Sequence, residues 1–271
     1  MTLTSHIKKA FIAFTLFAVA IGAYFTFAPP HAQALESLDN IESGDLIRGE
    51  AFAAVYYMGA DGLRYVFPNQ KTYDTWYDNF DNVKFISDSD LGKIGIGGNA
   101  TYRPGVRMIK IESDNRTYAV AQGGILRHVS SEDVAVGLYG ADWNQMIDDV
   151  PDGFFTNYTI GDEVAISEDF DPAGETAAVA SINVDKSLTA PIDVSLTDSG
   201  FSPIDVTIDA GDNIRFTNNG TSNHSATGDG LSWGTGTVLP GESDIVTFDE
   251  PGTYTFFDSY DSANTGAIYV E

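Results

Sequence analysis

From residue 44 onward, apolar and polar residues alternate with a period of two in short runs broken by Gly, Pro, Asn and Asp. That period marks strands with one face turned toward a core. Val55–Met58 and Leu63–Phe67 flank the turn Gly59-Ala-Asp-Gly62, and Arg107–Ile111 and Thr117–Val120 flank Glu112-Ser-Asp-Asn115. Both read as hairpins, because Gly, Asp and Asn accept the backbone angles of tight turns. Helical spacing is confined to short stretches near Gln70–Tyr77 and Ser131–Tyr139, the second with Ser130 and Asp133 placed as an N-cap pair. Phe201–Asn219 reads as strand, Gly-Asp turn, strand. Turns at Leu239-Pro-Gly-Glu242 and Glu250-Pro-Gly252 precede the runs Ile245–Phe248 and Thr253–Phe257, and Gly266–Val270 closes the chain. The pattern predicts a mainly β protein, with an α+β domain followed by a Greek-key β-sandwich or barrel of seven or eight short strands.

An offset of 63 residues sets Leu63-Arg-Tyr-Val66 on Leu126-Arg-His-Val129, Trp76 on Tyr139 and Phe80 on Trp143. This predicts two ββα-like modules within residues 44–166, packed on each other and sharing aromatic residues. Residues 167–181, acidic and then Ala-rich with one Pro and one Gly, read as a flexible linker. The second domain is expected at 182–271. Arg64-Tyr-Val-Phe-Pro-Asn69, with Thr72-Tyr73 and Trp76, resembles repeat modules of bacterial surface and exported proteins, a resemblance that implies no chemistry. The aromatics Tyr56, Tyr57, Tyr65, Phe67, Tyr73, Trp76, Tyr77 and Phe80 have two readings. They form a platform for a cell-wall glycan, or they staple two modules that lack a large core.

The N-terminus adds a destination. Lys8-Lys9 precede an apolar run from Ala10 to Ala28, then Pro29-Pro30 and the small-x-small triplet Ala32-Gln-Ala34. Residues 1–34 read as a secretory signal peptide cleaved after Ala34. The alternative is an uncleaved anchor attached to the membrane through residues 10–28. Either reading places the remainder outside the cytoplasm, secreted or membrane-anchored and facing outward.

Charge and cysteine count narrow the chemistry. Fourteen Lys and Arg stand against 39 Asp and Glu, a net charge of −25, which repels phosphate backbones and speaks against nucleic-acid binding. Such acidity suits solubility, or attraction of divalent cations or basic partners. No cysteine is present, so disulfides, thiolate metal sites and cysteine nucleophiles are excluded.

The second domain carries the sharpest motif set. Phe201-x-Pro203, Ala210-Gly-Asp212, Asn218-Asn219 before His224, Leu239-Pro-Gly-Glu242, Glu250-Pro-Gly-Thr-Tyr-Thr255 and Gly266-x-Ile-x-Val270 follow one another. In this order they are similar to plastocyanin-like cupredoxins, over about residues 190–271. The resemblance implies a Greek-key β-sandwich and a copper site made of a first histidine and a later Cys-x-x-His-x-x-Met run. His224 stands at the first histidine position. Asp258 stands where the cysteine would be, Asp261 where the second histidine would be, and Asn264 where the methionine would be. Without a thiolate, no blue-copper centre is expected. The spacing leaves two possibilities, a solvated polar loop or a remnant site in which His224, Asp258, Asp261 and Asn264 hold Ca²⁺, Mn²⁺, Zn²⁺ or a non-blue Cu²⁺. A polar gap is expected at that end of the barrel unless Trp233 or Tyr260 packs into it.

Little else carries chemistry. His128 aligns with Tyr65 in the repeat and reads as a packing residue. Nucleophile-elbow, phosphate-loop and zincin motifs are missing, and carboxylate pairs are inevitable among 39 acids. Five sequons, at Asn99, Asn115, Asn157, Asn219 and Asn223, carry weight only if the host glycosylates exported proteins. The sequence therefore predicts a non-enzymatic exported or surface protein serving as an interaction module, with a cell-wall glycan or surface protein as partner. Metal binding at the remnant site is the alternative, and a carboxylate-based hydrolase comes third.

Overall fold

A computed structural model describes residues 34–111 and 113–271. The signal peptide or anchor read at 1–34 lies outside these residues apart from Ala34. No helix among the described residues is long and apolar enough to cross a membrane. The protein is mainly β, built from four sheets that belong to one compact unit, Ala34–Glu271.

The first module contains β1 (Leu46–Arg48), β2 (Tyr56–Met58), β3 (Arg64–Val66), helix α1 (Gln70–Asp74), β4 (Val83–Phe85), α2 (Asp88–Lys93) and β5 (Ile96–Asn99). The second contains β6 (Met108–Ile111), β7 (Asp114–Ala121), β8 (Ile125–His128), α3 (Glu132–Tyr139), β9 (Ile147–Val150), α4 (Asp152–Phe155) and β10 (Thr159–Ile160). The sheet orders are β4-β1-β2-β3-β5 and β9-β6-β7-β8-β10, so the two modules share one connectivity. In each, three antiparallel strands are extended on both edges by strands that run parallel to their neighbours.

The unit is therefore larger than the ββα expected. The hairpin β2–β3 corresponds to β7–β8, not to β6–β7 as the turn signals suggested. The four edge strands are two to four residues long, too short for a period of two to show. The cap of α3 also moves by one residue: the Ser131 hydroxyl, not that of Ser130, accepts the Val134 amide at 3.3 Å.

The aromatic stripe is mostly core. Tyr57, Tyr65, Phe67 and Tyr73 are buried with Leu46, Val55 and Val83, and Trp76 and Tyr77 pack against them. Phe80 keeps 47% of its surface exposed but stacks on Tyr73, with ring centroids 4.2 Å apart. Tyr–Phe contacts of this kind build a core from rings where aliphatic residues are few.

The segment expected to be a flexible tether is packed. Residues Ser167–Asp169 form a 3-10 turn and Pro172–Ala178 form α5. Phe170 and Val179 are buried, the former in the second module's core. Arg103 donates to the Thr176 and Val179 carbonyls at 3.3 and 3.2 Å, closing the end of α5. Gly105 makes this approach possible. Its φ is +74°, and a Cβ there would lie 1.9 Å from the Pro172 carbonyl oxygen.

After α5 comes α6 (Ile182–Asp185), which the sequence placed at the start of the second domain. Ile182 instead belongs to the first module's core. The turns β2–β3 and β7–β8 both grip this helix. The Ala60 amide donates to Asn183 Oδ1 at 2.8 Å, and the Gly123 amide, 63 residues later, donates to Asp185 Oδ1 at 2.9 Å.

The C-terminal sandwich has two four-stranded sheets. One is β12-β11-β14-β16, from β11 (Ile192–Thr197), β12 (Gly200–Ser202), β14 (Asp212–Asn218) and β16 (Ser243–Phe248). The other is β13-β18-β17-β15, from β13 (Asp205–Ile208), β15 (Thr227–Gly228), β17 (Gly252–Asp258) and β18 (Asp261–Val270). Alternate residues of the long strands face inward, so Val194, Leu196, Ile214, Phe216, Phe256, Ile268 and Val270 fill the space between the sheets. Trp233 packs on Phe248 and Phe256, at 5.0 and 5.7 Å between ring centroids, inside this core rather than at the end where a polar gap was expected. Tyr260 remains 53% exposed, its hydroxyl on Thr237.

Candidate functional site

One end of the sandwich gathers a buried polar cluster. His224 follows β14 and bridges to Val238, its backbone exchanging hydrogen bonds with Val238 in both directions. Asp258 ends β17, where the register with β18 shifts. Both side chains are buried, at 5% and 2% exposure. His224 Nδ1 lies 2.7 Å from Asp258 Oδ2. The other carboxylate oxygen of Asp258 accepts the amides of Ser225 and Tyr260 at 3.0 and 2.9 Å. Each oxygen of a carboxylate sealed from water thus has a donor.

His224 Nε2 lies 3.2 Å from Oδ1 of Asp198, in the turn between β11 and β12. Asp198 also accepts the Thr221 amide and hydroxyl and the Ser222 amide, at 2.8 to 3.1 Å, which ties the two loops at this end together. Burial alone draws the His224 imidazole downward. The hydrogen bonds and charges of Asp258 and Asp198 outweigh it and hold the group above its ordinary value of 6.5. The Thr221 hydroxyl and amide, with His224 after them, hold the Asp198 carboxyl well below the usual range. The end of the barrel is thus closed by a carboxylate–imidazole–carboxylate chain.

Of the four residues singled out from the sequence, the structure joins His224 to Asp258. Asp261 is the register partner of Asp258 across the β17–β18 hairpin, but no side-chain hydrogen bond joins Asp261 or Asn264 to His224 or Asp258 among the described residues. Asp261 is exposed, accepting the Ala263 amide at 3.2 Å, and Asn264 Nδ2 lies 3.5 Å from its other oxygen. Among the described residues, no group of three or more His, Cys, Asp or Glu side chains is arranged to hold a metal ion. Asp198 was missed by sequence reasoning. Thr197-Asp-Ser-Gly200 carries only a turn signal, and its reach to His224 comes from folding β11 beside β14.

His128 stands on β8 where Tyr65 stands on β3. Tyr65 donates its hydroxyl to the buried Asp61 at 2.5 Å. His128 pairs with Glu163 at 3.0 Å and tilts against Tyr118 at 5.8 Å. The sequon residues Asn99 and Asn157 bond to each other at 2.9 Å, across the two modules.

Residues 175–270 match the cupredoxin-like domain family, and this part of the chain is a cupredoxin-like domain. Similar solved structures cover 30% of this chain. A purple cupredoxin from Nitrosopumilus maritimus is 16% identical, with 30% of this chain and 99% of that one covered and a TM-score of 0.28. Amicyanin from Paracoccus versutus is 22% identical, over 30% of this chain and 81% of its own, with a TM-score of 0.28. A copper-containing nitrite reductase from Thermus scotoductus SA-01 is 23% identical, over 30% of this chain, with a TM-score of 0.29; the likeness spans 22% of that enzyme. No curated protein matches the chain.

Proposed function

We propose that the protein is a non-enzymatic, exported binding protein whose cupredoxin-like domain carries a proton-bridged polar cluster where the copper proteins of this fold carry a metal. One observation carries the reading: His224 Nδ1 lies on Asp258 Oδ2 at 2.7 Å, with both side chains buried. A type-1 copper centre needs a thiolate and two imidazoles. The chain has no cysteine, one imidazole stands here, and carboxylates cover both of its nitrogens. These donors do not fit blue copper. Export is supported by the Lys8-Lys9 leader with its small-x-small triplet, and an interaction role by the lack of recognisable catalytic motifs.

Metal binding through His224 and its carboxylates is a second reading, favoured by Asp198 and Asp258 standing on either side of one imidazole. A single set of measurements separates the two. Purified leaderless protein is analysed for metals and then titrated with Cu²⁺, Zn²⁺ and Ca²⁺ while the thermal melt and the visible absorption are followed. The proton-bridged cluster predicts no stoichiometric metal, no intense visible band and no rise in Tm. A saturable rise in Tm with any of these ions, abolished in His224→Gln, establishes the metal reading instead.

A further inference from the structure

A polar cleft of about 350 Å³ runs between the first module and the sandwich and shares no lining residue with the His224 cluster. Its walls are Asp61, Tyr65, Lys186, Thr189, Asn213 and Thr247. Two of its carboxylates are already served. Asp61 accepts the Tyr65 hydroxyl, the Leu63 amide and the Asn213 side-chain amide, the last two at 3.1 and 3.5 Å. Asp212 accepts the Thr189 hydroxyl at 3.3 Å and the Asp209 amide at 3.1 Å.

Lys186 is not served in the same way. The other described lysines each have a carboxylate at 3.0 Å or closer: Lys71 on Asp148, Lys84 on Asp45, Lys93 on Asp90 and Lys110 on Asp149. Among the described residues Lys186 has no such partner, although the chain carries a net charge of −25. Its Nζ sits 5.5 Å from the centroid of the Tyr65 ring. Burial pushes this amine down, against the pull of the Asp185 and Asp61 carboxylates, neither of which reaches it as an ion pair. The next residue, Ser187, holds a φ of +54°, a backbone state that non-glycine residues adopt at a cost and that is frequent at binding sites.

We propose that this cleft binds a single acidic sugar, a uronic acid, with its carboxylate on the Lys186 ammonium and its hydroxyls on Thr189, Asn213 and Thr247. The volume lies at the small end of ligand pockets, and clefts at domain junctions are frequent ligand sites. A carboxylate supplies the acceptor that Lys186 lacks. A doubly charged phosphate is disfavoured by Asp61 and Asp212 beside the one cation. The hydroxyl and amide lining suits a polyol rather than a fatty acid. Long-range repulsion by the acidic surface is screened within about 8 Å at physiological ionic strength. The site stands apart from His224 and does not depend on the metal question.

The experiment is a titration of isotope-labelled leaderless protein with D-glucuronate, D-glucose and acetate, followed by amide NMR shifts. Glucuronate is expected to shift Ser187, Thr189 and Gly211 saturably in the millimolar range, with glucose and acetate clearly weaker. Lys186→Gln should weaken glucuronate about tenfold, the loss of one charge-assisted contact, while Lys186→Arg keeps most of it. An unchanged amide spectrum away from the cleft shows that both variants fold. Absence of saturable shifts, equal binding of glucose, equal binding of acetate, or undiminished binding by Lys186→Gln each overturns the proposal.

Discussion

His224 and Asp258, 34 residues apart, share one hydrogen bond of 2.7 Å that water does not reach. Removing one member of such a pair strands the other. Asp258→Ala is expected to cost about 3–5 kcal/mol in denaturant unfolding. Asp261→Ala, at an exposed site, should stay within about 0.5 kcal/mol. Equal costs for the two variants would show that the cluster has been misassigned.

The same pair sets a pH dependence. His224 is held above its ordinary 6.5, so the native state binds this proton more tightly than the unfolded chain does. The contribution is complete below that ordinary value and fades as pH rises through the raised native value. The stability difference between wild type and His224→Gln should therefore shrink as pH rises above the ordinary value of 6.5. A difference that widens with pH contradicts a protonated imidazole. Asp198 acts in the opposite window: its depressed carboxyl helps above the ordinary carboxylate range and loses that effect in acid.

Asp185 gives a third test. It is 2% exposed, and burial raises its carboxyl despite hydrogen bonds from the Gly123 amide and the Thr101 hydroxyl. Its contribution grows as pH falls through the raised native value, the same sense as His224 and the reverse of Asp198. On the other module Asn183 does the corresponding task without charge. Asp185→Asn is thus expected to be neutral or mildly stabilising at neutral pH, and Asp185→Ala to cost about 1–3 kcal/mol. Urea unfolding of both variants at neutral and acid pH checks the order.

Gly105→Ala should destabilise by at least about 2 kcal/mol, combining a left-handed backbone with a clash against backbone. Gly140 also has positive φ but has open space around its Cβ position. Gly140→Ala should accordingly cost less, about 1 kcal/mol. Thermal melts of the pair separate conformational strain from collision.

Long strands were readable because Asp212–Asn218 and Gly252–Asp258 offer several alternating positions between Gly-rich turns. The offset of 63 was readable because third strands in both modules keep Leu-Arg-aromatic-Val or its histidine counterpart. Val83–Phe85 and Thr159–Ile160 were not, since strands this short take their identity from neighbours. Residues 167–181 misled through composition, because two buried anchors, Phe170 and Val179, decide their packing against thirteen others. At the site, residue type and spacing identified His224 and Asp258. Asp198 stayed hidden because its role depends on a loop contact across 26 residues, and spacing alone could not tell that the Asp261 carboxylate bonds to the Ala263 amide.

The grip of both modules on α6 bears on how this chain can be divided. A fragment that stops at the start of the family match, or at Ser181, discards Asn183 and Asp185 and leaves two turn amides, at Ala60 and Gly123, without acceptors. A recombinant N-terminal half should therefore end beyond Lys186. Transplanting the module pair onto another protein would likewise have to carry these few residues along, so the working seam of the molecule lies C-terminal to the one that family matching draws.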